Sequence, residues 1–254
     1  MNMSTGSVPI RLSLAMGLLA LGGAACAAAA DEPMQAWLRA SITLDATGEL
    51  TSVEWPDQKA RGKVLTEHLE KIIRTWEFEP GKLDGVPAIT KTRLNLNIEV
   101  EKNPQGGMEV AILQAHTGVG FNSMPAPGYP TTPAMRGYSA ELRLQLDVDQ
   151  QGKVVSARVL QYEGDSQNKW IRQDFEKASL KAVQSWSFEP EQVAGKPLVS
   201  RVSAPILFCM GGSLWCEKRN EARHAAGQPA MSMDEAVALD SAVKIRKGPV
   251  APGI

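Results

Sequence analysis

Trp76-Glu77-Phe78-Glu79-Pro80 recurs as Trp186-Ser187-Phe188-Glu189-Pro190. Five residues beyond each final proline stands a glycine, Gly85 or Gly195, and two further on another proline, Pro87 or Pro197. A register kept over the whole stretch marks an internal duplication. Just upstream, Leu65, Leu69, Ile72 and Trp76 follow one another at steps of four, three and four, which places them on one face of a helix. Ile171, Phe175, Ala178, Ala182 and Trp186 form the matching stripe of the second copy. Pro80 and Pro190 stop each helix from continuing, because proline lacks an N–H and restricts the residue before it.

Farther out, the period changes to two. Leu38, Ala40, Ile42 and Leu44 alternate with polar residues, then Asp45-Ala46-Thr47-Gly48 turns into a second strand over 50–55. Leu142, Leu144, Leu146 and Val148 do the same before Asp149-Gln150-Gln151-Gly152 and a strand over 154–162. Turn residues between alternating runs predict a hairpin in each copy. Leu94, Leu96, Ile98 and Val100 predict a last strand in the first copy, and Val202, Ala204, Ile206 and Phe208 one in the second. Each copy reads strand, strand, helix, strand. The fold class expected is α+β, with two small two-layer domains, each built on an antiparallel sheet.

The copies span 31–102 and 129–210. Residues 103–128 read as a linker rich in Pro and Gly at its ends, in which 108–113 is compatible with a short strand. Residues 211–254 form a tail in which 233–244 fits a helix and the final residues fit disorder. At roughly 70–80 residues each copy is too small to bury a generous core alone.

Residues 1–30 read as a signal peptide. Arg11 is the only charge there, residues 12–21 are largely apolar, and Ala28-Ala29-Ala30 precedes Asp31, predicting export and cleavage near Ala30. The apolar run is shorter than the roughly 20 residues a bilayer span needs. Lipid anchoring at Cys26 is the alternative. Export would leave Cys209 and Cys216, an even number in an oxidising compartment, which predicts a disulfide.

A net charge of −1 gives no electrostatic reason to expect nucleic acid. His68, His116 and His224 lack metal-ligand spacing, and Gly118-Val119-Gly120 is only a fragment of a nucleotide-binding pattern. No catalytic constellation is found, and neither cofactor, metal nor small-molecule substrate is expected.

Tyr129-Pro130, the alternating strand 142–148, the turn ending at Gly152, the helix leading to Trp186-x-Phe188-x-Pro190 and the last strand ending Pro205-Ile206-Leu207-Phe208 resemble the TonB C-terminal domain family. The resemblance covers 129–208 well and 37–101 less well, since nothing there corresponds to Tyr129-Pro130. It implies a periplasmic protein-binding module in which a segment of an outer-membrane or other envelope protein adds as a strand, linked to TonB-dependent transport. The positions implied lie on the last strands: Arg93, Asn95 and Asn97 in the first copy, Arg201, Val202 and Ser203 in the second. The two arginines would meet an acidic partner segment or keep an edge strand from aggregating. Pro205 removes a donor from the second of these strands, so the first presents the better edge. A transducer of this family also has a retained membrane helix and a long Pro-rich segment, which the short apolar run and 103–128 do not match. The expected role is therefore partner binding, not enzymatic. The alternative is a structural envelope component or homodimer assembled by edge-strand pairing.

Overall fold

The computed structural model describes residues 33–56, 62–102, 107–225 and 236–249. The expected signal peptide, with Cys26, and the last residues of the tail lie outside them.

The first copy opens with the hairpin β1 (Met34–Leu44) and β2 (Leu50–Glu54), followed by helix α1 (Lys63–Ile73). Short strand β3 (Glu77–Glu79) carries Phe78, the hairpin β4 (Lys82–Leu83) and β5 (Val86–Pro87) follows, and β6 (Thr90–Lys102) closes the copy. β1 lies between β2 and β6 in antiparallel register. The alternating residues of β1 and β6 meet Leu69 and Ile73 of α1 in one core.

The second copy repeats this plan. β9 (Ala140–Val148) and β10 (Val154–Gly164) form its hairpin, and α3 (Lys169–Val183) follows the short helix α2 (Thr131–Met135) in chain order. Then come β11 (Ser187–Glu189), the hairpin β12 (Gln192–Val193) and β13 (Lys196–Pro197), and β14 (Ser200–Phe208). β9 lies between β10 and β14. Both helices stop three residues before the tryptophan of the motif, so the buried stripe of α3 falls on Ile171, Phe175, Ser179 and Val183. Trp186 is buried beyond the helix and donates its indole N–H to the Pro125 carbonyl at 3.0 Å. Its counterpart Trp76 is only half-buried.

The duplication extends to the turns. Asp45 and Asp149 each accept main-chain N–H bonds from the residues two and four places on. Asp84-Gly85 and Ala194-Gly195 all have positive φ, the geometry that two-residue hairpins require.

The segment expected as a linker contains two strands. β7 (Met108–Gly118) runs antiparallel to β6 from Lys102–Met108 to Arg93–Gly118, and β8 (Gly120–Ser123) pairs with β11. The physical reason lies at Leu113. It is an extra residue opposite the Asn97/Ile98 step, and it lets Val110 and Ile112 before it and Ala115 after it face the same core.

The tail also differs from expectation. Helix α4 (Leu214–Ala225) is followed by strands β15 (Val237–Ala238) and β16 (Lys244–Lys247), so the described part of 233–244 is not helical. β15 pairs with β14 in the second copy, and β16 pairs with β3 in the first. β12 also crosses to the first copy and pairs with the start of β6. From Pro33 onward the described residues form one compact unit around two cores.

Candidate partner-strand interface

A strand added to either copy would lie beside its last strand, on the side away from the central hairpin. Beside β6 that position is filled along its length. β12 covers Thr90 and Lys91, and β7 covers the strand from Arg93 to Lys102. Arg93, Asn95 and Asn97 therefore lie inside a sheet. The Arg93 guanidinium bonds the Glu189 carboxylate, with its Nε at 3.1 Å. Asn95 and Asn97 are buried, and both polar atoms of the Asn97 side chain lack a hydrogen-bond partner. Across the same face the Trp37 ring meets His116 edge-on at 5.7 Å. Burial holds the His116 imidazole neutral, with its pKa lowered to about 4.

Beside β14, among the described residues, the position is barely used. Val202 pairs with Ala238 and Ser203 with Val237. The Leu239 amide donates to the Arg201 carbonyl at 2.8 Å, and the Arg201 amide donates to Asp240 Oδ1 at 2.8 Å. Arg201 thus turns both main-chain groups to the outer side, and by the period of two so do Ser203, Pro205 and Leu207. Among the described residues no strand pairs with β14 on that side beyond Ser203. Pro205 offers a carbonyl but no N–H there, which blunts this edge against indiscriminate pairing. Val202 points into the core, Ser203 is buried, and the exposed Arg201 side chain reaches Asp147 at 3.3 Å.

The far end of β14 is tied down. Cys209, just past the strand, is disulfide-bonded to Cys216 in α4. From that helix Arg219 bonds Glu141 of β9 and Glu163 of β10, each at 2.7 Å. Tyr129 and Phe175 pack on Phe208 below.

One buried carboxylate joins both copies and the tail, and sequence reasoning missed it. Glu191 accepts from the Thr92 hydroxyl at 2.6 Å, the Ser241 hydroxyl at 2.9 Å and the Ala242 amide at 3.0 Å. Its pKa is raised because burial outweighs these hydrogen bonds. Nothing local in Pro190-Glu191-Gln192 distinguishes it from a solvated glutamate. Among the described residues no group of three or more His, Cys, Asp or Glu side chains gathers as a metal site.

The residues from Tyr129-Pro130 to the end of β14 are the ones that a family comparison selects. The model described as Gram-negative bacterial TonB protein C-terminal matches residues 125–210. This segment is a TonB C-terminal-type domain. The first copy lies outside the match. Protein TonB from two strains of Xanthomonas campestris pv. campestris is similar over 96 residues at 29% identity, covering 38% of this chain and 40% of each relative. The chain thus spans less than half the length of these relatives. The solution NMR structure of the Pseudomonas aeruginosa TonB C-terminal domain is similar at 20% identity, with a TM-score of 0.30, over 37% of this chain and 87% of that one.

Proposed function

We propose that the chain is an exported, periplasmic protein-binding module without enzymatic activity. It binds an extended segment of an outer-membrane or other envelope protein by strand addition to β14. One observation supports the reading most directly. The position beside the last strand is filled along its length in the first copy, and in the second, among the described residues, a two-residue strand of the tail is all that pairs there. The first copy is complemented by its own chain and serves as the base. The second keeps the receiving edge. An added strand would gain main-chain hydrogen bonds at Leu207 and the carbonyl of Pro205, and would take over from the tail those at Arg201 and Ser203.

The alternative of self-assembly through an edge strand has β10 as its best candidate, since Val155 and Leu160 are exposed there. Two register breaks in β10, at Val154/Ser156 and Val159/Gln161, kink that edge and disfavour flat pairing.

The test is a photoreactive residue at position 201 in intact cells, with the crosslinked species identified by mass spectrometry. A crosslink to the periplasmic segment of an envelope protein is expected. A crosslink only to a second copy of this chain would favour self-assembly.

A further inference from the structure

The segment already lying beside β14 describes the ligand that fits there. Residues 236–243 run from one core to the other, with Ala236 buried in the second and Val243 in the first. Between these anchors each position meets a different demand. Ala238 lies against Gly118 so closely that a Cβ on that glycine would overlap the Ala238 Cβ. Ala242 lies against Gly81, where an added Cβ would stand 3.2 Å from the Ala242 Cβ. Gly118 thus leaves room for a small side chain at Ala238, while a Cβ on Gly81 would meet Val193 first, at 2.5 Å, before Ala242. Asp240 caps the outward amide of Arg201, and Ser241 reaches the buried Glu191. Yet only two residues of the segment pair with β14 as a strand.

We infer that residues 236–243 are a resident stand-in for the partner. The binding path selects an extended segment with a small residue at the Ala238 position, then after one spacer an acid, a hydroxyl residue and a second small residue. This rests on strand addition at β14 and adds to it a ligand class and an intramolecular competitor. The partner takes over the path by displacing the tail. The tail's weak strand pairing makes the exchange feasible, and the seat at Gly118 makes it selective. An arginine or aromatic residue at the Ala238 position would collide with the backbone at Gly118.

The test uses the full chain and a fluorescent peptide with the sequence of residues 236–243. Asp240→Ala removes the cap while leaving the packed alanines in place, and Ala238→Arg expels the resident more forcefully. Both variants are expected to bind the peptide at least tenfold more tightly than the parent chain. A second peptide with arginine at the Ala238 position should bind at least tenfold more weakly than the first. Equal binding by the parent and the Asp240→Ala chain, or indifference to the arginine, overturns the inference whether or not Ala238→Arg folds. Position-201 crosslinking separates the two readings. Selective peptide binding without an envelope crosslink supports the path and overturns the envelope-partner reading. An envelope crosslink without peptide selectivity does the reverse.

Discussion

The amide of Phe188 donates to the carbonyl of Gly152 at 2.8 Å, which pins the motif strand of the second copy under that copy's own hairpin turn. Gly152 has a φ of 76°, and a Cβ there would overlap the Phe188 carbonyl oxygen. Gly48 repeats the arrangement against Phe78. The aspartate-led turns and the W-x-F-x-P motif are therefore two sides of one contact, made once in each copy.

Gly152→Ala must accept both a left-handed backbone and a clash with main chain, so it should destabilise the fold by about 2–3 kcal/mol. Gly85→Ala has a similar φ of 82° but nothing within 4 Å of the new Cβ, and should cost only about 1 kcal/mol. Urea unfolding of the two variants checks the order. Equal midpoints would contradict the contact.

Glu191 gives a pH signature. Its folded pKa lies above the ordinary 4.5, so its contribution is full below that value and is lost as pH rises through the raised one. In Glu191→Gln the Thr92 and Ser241 hydroxyls turn to accept from the amide nitrogen, and the Ala242 amide keeps an acceptor. As pH rises above 4.5, the thermal stability of this variant should decline less than that of the parent. Parallel curves would show that the carboxylate is not shielded as described.

His116 acts in the opposite direction. Its pKa falls from 6.5 to about 4, so its contribution is full above 6.5 and is lost as pH drops through 4. His116→Gln should flatten the acid limb of the stability curve between pH 6.5 and 4. An unchanged acid limb would mean the imidazole is solvated.

The Cys209–Cys216 bridge closes a short loop with a sequence separation of 7. Reduction should cost about 2 kcal/mol, and a Cys209→Ser, Cys216→Ser chain should lose the response to reductant in the same unfolding assay.

The duplicated motif, the alternating strands and the disulfide were legible because each is encoded locally, at a fixed period or spacing. β7 was legible only in its first half, as the short strand allowed over 108–113, because the bulge at Leu113 breaks its alternation halfway along. The tail strands are two and four residues long, too short for any period to emerge. The reading of β6 as the better edge has the same origin. With the pairing of β7 to β6 out of view, proline-free β6 looked open, although β7 and β12 cover it. Glu191 shows what stays out of reach: its role comes from Thr92 and Ser241, far away in the chain.

The most direct test of the account is residue-resolved amide exchange of the full chain, with and without the envelope segment identified by crosslinking. Strand addition at β14 predicts that the outward amide of Leu207 slows at least tenfold when the segment binds, while the amides of β6, already covered by β7, do not change. Slowed exchange along β2 or β10 with Leu207 unaffected would place the partner on another edge and contradict it.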